Sequence, residues 1–362
     1  MNAVVLILIV VCCLAICIDV LLIYIFVFQF KSFHYKFQQL PRVSILVAAR
    51  NEENNIGRCI KSLLALDYPR EKLEILVGDD QSTDDTNRVV KKLVAQHPLI
   101  KLHTITKNIG LAKGKANVLA HLAKEAKGDL FLITDADVEV PKSWITGMLG
   151  GVGPGVGIVN GFTRVSGHIW QNIDWIFALG MMKALHDSGK SVTAMGNNML
   201  ITREAYEAVG GYESIPFSIT EDFELFKQVS SKGFKTVQLL QQNVMAKTQS
   251  QQSLSNLLQQ RKRWMKGAVQ LPALIVSILI IQAIYYPSII ALFAISPEYG
   301  SMMFASKMLI QAIFILLVAI KLKLRISFLH VLLFEFYSAF IAISSGLFYL
   351  LPFKITWKGR KY

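Results

Sequence analysis

The run RVSILVA at residues 42–48 decides the fold, because it is a short, β-branched apolar segment with the length of a buried strand. Three further runs also predict strands: LEILV (73–77), IKLHT (100–104) and LFLIT (130–134). Helical patterns separate these runs, at residues 54–66, 84–96 and 113–127. Later in the chain, residues 191–202 predict another strand, which reaches toward the site. Strands and helices that alternate at these lengths predict an α/β domain with a mostly parallel, Rossmann-like sheet wound in right-handed units.

The two ends of the chain are more apolar than its middle, and hydrophobic residues make up 53% of the whole. Residues 3–30 carry no charge except Asp19, and Lys31 and Lys36 follow them. This pattern is too long for the core of a signal peptide and predicts a transmembrane anchor whose C-terminal end lies in the cytoplasm. Asp19 within it marks either a functional position or a contact between helices.

Three more apolar segments follow residue 267, at 271–295, 304–320 and 328–351. Residues 296–300 carry no basic side chain and suit a connection on the outer face, whereas the basic residues at 321–325 mark a return to the cytoplasm. The chain therefore divides into an anchor (1–30), a cytosolic domain (31–267) and a membrane region with a basic tail (268–362).

Two questions of topology stay open at this point. If residues 328–351 span the membrane, the tail with Lys354, Lys358, Arg360 and Lys361 lies outside, against the positive-inside trend. If the segment re-enters, the tail is cytosolic. Residues 170–185 are apolar on a helical pattern and suit either the membrane interface or the core of the domain.

The formal net charge of +13 would suit a nucleic-acid-binding protein, but the chain has no basic stripe with interleaved aromatic residues and no nucleic-acid motif. A membrane protein that faces anionic lipid has the same charge balance. We therefore expect the bilayer, and no nucleic acid, to be the partner that explains the charge.

Asp135-Ala136-Asp137 follows a predicted strand at its carboxyl end, where α/β sheets bind ligands. Two carboxylates in this pattern can hold Mg²⁺ or Mn²⁺, with a diphosphate supplying further oxygen ligands. A lone Asp-X-Asp is common in loops, so the position after four alternating elements gives the motif its weight.

Asp79 and Asp80 end the second predicted strand and allow two interpretations. One is ordinary punctuation between strand and helix, with Asp84 or Ser82 capping the helix. The other gives one carboxylate the base or ribose of a nucleotide, with Ala48, Arg50 and Glu52 of residues 48–53 lining the base pocket.

Thr220-Glu221-Asp222 opens another predicted helix. Residues 218–221 (SITE) fit a capping box, which would explain Glu221 structurally. It does not explain Asp222, which can serve as the carboxylate base that takes a proton from an attacking hydroxyl group.

Gln260, Arg263 and Trp264 are spaced i, i+3, i+4 and share one face of a predicted helix just before an apolar segment. An amide, a guanidinium and an indole could hold a diphosphate and stack on a sugar or acceptor. The alternative is that the basic residues only mark the cytoplasmic end of that segment.

In this order, the motifs make the chain resemble a membrane-anchored family 2 glycosyltransferase with a GT-A fold. The residues that carry the resemblance cover nearly all of the middle of the chain: 48–53, Asp79-Asp80, Gly114-Lys115-Ala116, 135–137, Gly210-Gly211-Tyr212, 220–222 and 260–264. The tail at 357–362 (WKGRKY) also resembles endings of lipid-directed members, such as hopanoid, carotenoid and ceramide glycosyltransferases. Two features depart from the family pattern: Gln81 stands where glycine is frequent, and residues 150–157 are unusually rich in glycine.

The resemblance implies an inverting, metal-dependent transfer from a nucleoside diphosphate sugar, with UDP as the carrier. It implies a catalytic pair in which Asp222 is the base and Glu221 its neighbour, and a metal site at Asp137 and Asp135. The donor and the acceptor are then contacted by the remaining motif residues: Ala48, Arg50, Glu52, Asp79, Asp80, Lys115, Asp135, Gln260, Arg263 and Trp264.

Three functional hypotheses remain. The first is an enzyme of the inner or plasma membrane, with a cytoplasmic catalytic domain, that transfers one sugar to a membrane lipid. The alternative is a processive polysaccharide synthase, which shares the motifs but is expected to need more spanning helices. The third is a non-catalytic membrane subunit, which would be expected to have lost catalytic groups that are all present here.

Overall fold

The computed structural model describes residues 3–361, without the side chains of Trp357 and Lys361, so part of the tail motif lies outside the described side chains. The chain folds as two compact units. We call residues 32–166 and 193–249 the sheet unit. We call the rest of the described chain the membrane unit; it consists of residues 3–31, 167–192 and 250–361. The division into domains at residues 30 and 267, which the sequence suggested, stays a prediction.

The sheet unit alternates strands and helices along its first half. Its strands are β1 (Val43–Ala49), β2 (Leu73–Asp79), β3 (Ile100–Thr104), β4 (Leu130–Asp135), β5 (Val156–Asn160), β6 (Thr163–Ser166), β7 (Asn198–Thr202), β8 (Lys235–Gln238) and β9 (Ala246–Gln249). Its helices are α2 (Ile56–Leu64), α3 (Thr86–Gln96), α4 (Lys115–Glu125), α5 (Trp144–Leu149), α7 (Arg203–Ala208) and α8 (Glu221–Ser231), with 3₁₀ turns at Arg70–Lys72 and Gln242–Val244.

Seven strands form one sheet in the order β3-β2-β1-β4-β7-β5-β8. The pairs on either side of β1 are parallel, and only β7 runs antiparallel to its neighbours β4 and β5. Strands β6 and β9 form a separate parallel pair. The predicted α/β fold with a mostly parallel sheet is therefore confirmed.

The strands form where the sequence is apolar and β-branched, because both faces of the sheet are covered. In β1, Ile45, Leu46 and Val47 are all buried, as expected for a central strand with no polar face. The glycine-rich residues 150–157 lead into β5, where a Cβ on Gly157 would lie 2.8 Å from both Ala205 and Phe234. Close packing accounts for glycine at that position.

Two predicted boundaries are wrong. The strand expected over residues 191–202 begins only at Asn198, because residues 193–197 form a loop instead. The connection expected at residues 296–300 is already helical from Pro297, which takes the first helical position, where its missing N–H costs nothing.

The membrane unit is mostly helical. Its elements are α1 (Ala3–Phe28), α6 (Ile169–Asp187), α9 (Leu254–Ala268), α10 (Ala273–Ile295), α11 (Pro297–Lys321), α12 (Phe328–Leu350) and the two short strands β10 (Thr356–Trp357) and β11 (Arg360–Lys361). In the described chain, α1, α10, α11 and α12 are long and apolar enough to cross a bilayer. The predicted membrane segments are confirmed as helices of that kind.

Asp19 lies at a contact between three helices of this unit, as one of its two interpretations proposed. Its carboxylate accepts hydrogen bonds from Lys307 Nζ of α11 (2.6 Å) and Gln282 Nε2 of α10 (3.0 Å). Lys307 also donates to Gln282 Oε1 (2.8 Å). Because a charge in an apolar surrounding is costly unless paired, this network stabilises one arrangement of α1, α10 and α11.

Helix α6, whose location the sequence left open, belongs to the membrane unit. Phe177 packs edge-on against Phe314 of α11 and Phe334 of α12. Near its C-terminal end, the buried Lys183 donates to Asp187 and to the main-chain carbonyl of Lys31, just after α1. The helix thus packs against apolar helices of the membrane unit and is not a core helix of the sheet unit.

The C-terminal end of α12 and the tail that follows it are bonded to α9. At the C-terminal end, Lys262 of α9 donates to the carbonyls of Phe348 (3.2 Å) and Leu351 (2.6 Å). Gln259 of α9 then bonds to the main chain of Lys354 and Thr356 in the tail. Helix α9 leads directly into α10, so the tail lies at the end of the membrane unit where α10 begins. These contacts agree with the re-entering alternative for the last apolar segment.

Candidate active site

The register of the sheet brings the two acidic motifs to one edge. Ala48 of β1 pairs with Asp135 at the end of β4, and Ala49 pairs with Asp79 at the end of β2. The three strands are parallel, so their carboxyl ends meet, as the sequence predicted. This edge is the candidate active site of the sheet unit.

Hydrogen bonds hold the turn after β2 in place. Asp79 accepts from the main-chain N–H of Ser82 (3.2 Å) and from Asn87 Nδ2 (2.9 Å). Arg50 donates through Nη1 to the carbonyl of Asp80, and Asn51 N–H donates to the Ser82 hydroxyl. Residues 50–51 therefore fix the shape of the turn that carries the two aspartates.

Gln81 takes the backbone conformation that glycine usually supplies. Its φ angle is +54°, in the left-handed region, where a side chain costs on the order of 1 kcal/mol. Its side-chain amide donates to the carbonyl of Ile105 (3.3 Å). The departure from the family pattern thus keeps the turn, at some cost in strain.

Lys115 joins two parts of the site. Its Nζ lies 2.6 Å from Asp135 Oδ1 and 2.9 Å from Glu221 Oε1. The lysine side chain is only 10% exposed and that of Glu221 12%, so water screens this pair weakly. Burial opposes the charged amine, but Asp135, Glu221 and Asp222 outweigh it and raise the pKa of Lys115. The amine is therefore a fixed cation at the sheet edge.

The capping-box interpretation of Glu221 is wrong. Helix α8 begins at Glu221 itself, with Thr220 as the residue before it, and the Ser218 hydroxyl accepts from the N–H of Thr220 (3.2 Å). The Glu221 carboxylate lies 2.9 Å from Lys115 Nζ. Lys115 is far from Glu221 in sequence but close to it in the fold. Its charged amine forms a stronger bond with the carboxylate than a neutral main-chain N–H would.

Asp222 is a half-buried carboxylate held by two main-chain donors. Oδ2 accepts from the N–H of Gly196 and Oδ1 from the N–H of Phe223, both at 2.8 Å. Burial first, and then the charge of Glu221, raise the pKa of Asp222, while Lys115 lowers it. An oriented carboxylate whose pKa is raised toward neutrality is suited to accept a proton.

Gly196 and the loop that carries it were missed by the sequence analysis, which placed a strand there. The loop is anchored by Asn198, whose buried side chain accepts from the Trp144 indole (2.8 Å) and donates to the carbonyls of Phe162 and Val244. The glycine followed by two asparagines at 196–198 is the signal that could have indicated a loop.

Asp135 and Asp137 are the two carboxylates of the predicted cation site. They alternate with the buried Ala136 and are themselves partly exposed, and the Thr248 hydroxyl donates to Asp137 (3.4 Å). Within residues 3–361, groups of three or more His, Cys, Asp or Glu side chains in metal-binding geometry are absent. The residues therefore fit a hard cation that takes most of its oxygen ligands from a diphosphate and water, as Mg²⁺ and Mn²⁺ do.

The remaining predicted residues divide between the units. Glu52 lies in the sheet unit, where it accepts from the Asn55 amide (2.8 Å). Gln260, Arg263 and Trp264 lie on α9 in the membrane unit. There, the Trp264 ring packs edge-on against Trp175 of α6, with ring centroids 5.7 Å apart. The structure thus brings Ala48, Arg50, Asp79, Asp80, Lys115, Asp135, Asp137, Glu221 and Asp222 into the sheet unit, whereas the α9 residues belong to the other.

Comparison with known families and proteins gives a consistent result. The family described as glycosyl transferase family 21 matches residues 5–362. A beta-monoglucosyldiacylglycerol synthase of Synechocystis is 29% identical over 237 residues, which is 64% of this chain and 48% of the relative. A probable glycosyltransferase, YdaM, of Bacillus subtilis is 31% identical over 210 residues, covering 54% of this chain and 48% of the relative. The chain thus spans about half the length of these curated relatives.

Among solved structures, the mannosyltransferase PcManGT of Pyrobaculum calidifontis, in complex with GDP-Man and Mn²⁺, aligns with a TM-score of 0.60 at 18% identity. The alignment covers 95% of this chain and 99% of that one. The likeness shows the fold alone, and it confirms the GT-A architecture that the motifs predicted.

Proposed function

Because the chain belongs to glycosyl transferase family 21, we propose that it transfers a sugar from a nucleoside diphosphate sugar to a hydroxyl group of a membrane lipid, with inversion at the anomeric carbon. One observation carries the proposal. Two main-chain N–H groups hold Asp222 beside the Lys115–Asp135 pair. This group lies at the sheet edge, where α/β sheets bind nucleotide ligands.

In the proposed reaction, Asp222 takes the proton of the acceptor hydroxyl group. The oxygen of that hydroxyl group attacks the anomeric carbon, and the nucleoside diphosphate leaves. Glu221 is bonded to Lys115 and so keeps the amine next to Asp135. Asp79 and Asp80 contact the nucleotide, which is UDP in this proposal. Ala48, Arg50 and Glu52 form the wall of the pocket beside it.

Asp135 and Asp137 would hold Mg²⁺ or Mn²⁺, which when bound offsets the charge that develops on the leaving diphosphate. The pairing of Asp135 with Lys115 leaves Asp137 as the main ligand. Activity should therefore be lost in a chelator and return with Mg²⁺ or Mn²⁺; full activity of the unsubstituted protein in chelator would contradict the metal site.

In this proposal, Gln260, Arg263 and Trp264 contact the diphosphate and the acceptor. The protein is integral to the inner or plasma membrane, and its catalytic domain is cytoplasmic. The apolar helices of the membrane unit and the name of the Synechocystis relative support a lipid as the acceptor. The third hypothesis, a non-catalytic subunit, is disfavoured by the intact carboxylates around Lys115.

The proposal is tested with purified protein in lipid vesicles, Mg²⁺ or Mn²⁺ and a panel of radiolabelled nucleotide sugars. Label that partitions into organic solvent as one species supports the lipid transferase. Label in a large water-soluble polymer would instead support the processive synthase. An Asp222→Asn variant serves as the control: turnover should fall about 10²- to 10⁴-fold while donor binding survives. Unchanged turnover would remove Asp222 from its role as base.

A further inference from the structure

A group of aromatic side chains lies where α6 meets α12 in the membrane unit. The ring of Trp170 is stacked nearly parallel to Tyr337, with centroids 6.0 Å apart and an interplanar angle of 15°. The same indole lies 5.2 Å from the His330 ring. His330 and Tyr337 are seven residues apart on α12 and therefore share one face of that helix.

An ion pair completes this group. Asp174 follows Trp170 by one helical turn on α6, so both side chains point to the same face. Its carboxylate pairs with the guanidinium of Arg261 on α9, which also lies over the Trp264 ring, 4.9 Å from its centroid. We call Trp170, Asp174, Arg261, His330 and Tyr337 the headgroup cluster.

Three polar atoms of the headgroup cluster are buried, yet they have no hydrogen-bond partner among residues 3–361. They are Arg261 Nε, His330 Nδ1 and Tyr337 OH. Aromatic residues at a membrane surface ordinarily turn their polar tips to water, so a plain aromatic belt does not explain tips that are buried. Buried polar groups without a partner are rare and costly, and a bound ligand removes that cost.

The charges of the headgroup cluster restrict the ligand. The single cation in it, Arg261, already faces Asp174, so a phosphate would find its counter-charge neutralised. An alcohol suits the remaining atoms, because a hydroxyl group can donate to a histidine nitrogen and accept from a phenol or a guanidinium N–H.

We propose that the headgroup cluster binds the uncharged, hydroxyl-bearing headgroup of the lipid that accepts the sugar. This site rests on the proposed function. Arg261 lies within the 260–264 motif, but the resemblance assigns a contact to none of the five cluster residues. Trp170 and Tyr337 form its wall, and His330, Tyr337 and Arg261 bind the hydroxyl groups. The acyl chains of such a lipid would lie along the apolar surface of α12.

The test uses the full-length protein in phosphatidylcholine vesicles with two photoactivatable probes. One is a diacylglycerol with a diazirine close to the glycerol, and the other is the phosphatidic acid of the same structure. Peptides from α6 and α12 should be labelled by the diacylglycerol probe and not by the phosphatidic acid. Equal labelling by both probes, or no labelling of these helices, would overturn the proposal.

Two variants keep an aromatic ring at each position and remove the polar atoms: Tyr337→Phe and His330→Phe. Each should lower labelling by the diacylglycerol probe about fivefold to tenfold, the effect expected for one lost hydrogen bond. Tyr24→Phe, at an exposed position on α1, is the matched control and should leave labelling unchanged. Unchanged labelling in both cluster variants refutes the assignment.

Kinetics separate this proposal from the proposed function. Where the protein transfers sugar to the lipid, the two variants should raise the apparent KM for the lipid by a similar factor and leave the KM for the nucleotide sugar unchanged. Transfer with an unaltered lipid KM would refute the headgroup cluster alone. Selective labelling in a protein that transfers no sugar to any lipid would refute the proposed function and leave the site standing.

Discussion

Replacement of Lys115 by methionine should move the acid limb of the pH–rate profile to higher pH. Lys115 Nζ and Asp222 Oδ2 lie 3.2 and 3.3 Å from the point where a Cβ on Gly196 would stand, so the two charged atoms are at most about 6.5 Å apart. Two unit charges about 6 Å apart attract by about 3 kcal/mol at an effective dielectric constant of about 20, which corresponds to about 2 pKa units.

The sign of the effect follows from the causes of the Asp222 pKa. Burial and Glu221 already raise it, and Lys115 is the group that lowers it. Without the lysine the pKa of Asp222 rises further. The base is active only when it is ionised, so the rate of the variant begins to fall at a higher pH than that of the unsubstituted protein. Because Asp222 is only half-buried and water screens part of the attraction, a shift of about 1 to 2 pH units is expected.

The assay is the initial rate of sugar transfer to lipid across the pH range, at saturating donor. Lys124→Met is the matched control, since this lysine lies on the same helix, pairs with Glu213 at 3.5 Å and is half exposed. Its profile should coincide with that of the unsubstituted protein. An acid limb that stays in place in Lys115→Met would show that the titrating group does not face Lys115, and the assignment of Asp222 as base would fall.

Three further predictions concern stability and topology. Asn198→Ala removes the hydrogen bonds that its side chain makes to the Trp144 indole N–H and to the Val244 carbonyl, while the Phe162 carbonyl keeps its bond from the N–H of Ala246. The variant should therefore destabilise the sheet unit by about 2 to 3 kcal/mol and clearly lower its thermal midpoint; an unchanged midpoint would contradict the role of that side chain. Lys307→Met leaves the Asp19 carboxylate without its cation and should lower the thermal midpoint in detergent, whereas the double variant with Asp19→Leu should recover much of the loss. Failure of the double variant to recover would show that the ion pair is not the cause. A cysteine at Thr356 should react with an impermeant maleimide from the same side as one at Ser255 on α9, in a variant without native cysteines; labelling from opposite sides would contradict the re-entering α12.

Much of the fold was predictable because its signals are local. The runs at 73–77 and 130–134 became β2 and β4 nearly as predicted, since a covered parallel sheet requires continuous apolar strands. The stretch 191–202 was misjudged, because its first residues are held by contacts to Asp222 and Asn160 and not by a strand partner. Local periodicity contains no information on such contacts.

The sequence by itself determined where the proposed site residues stand, because carboxylates at strand ends and Gln260, Arg263 and Trp264 on a helix are properties of spacing. Only the tertiary structure decided what those residues contact. It pairs Glu221 with Lys115 instead of with its own helix, and it returns the end of α12 to Lys262. The physical reason is that hydrogen bonds and ion pairs between distant segments depend on how the elements pack, whereas strands and helices form from the pattern of neighbouring residues.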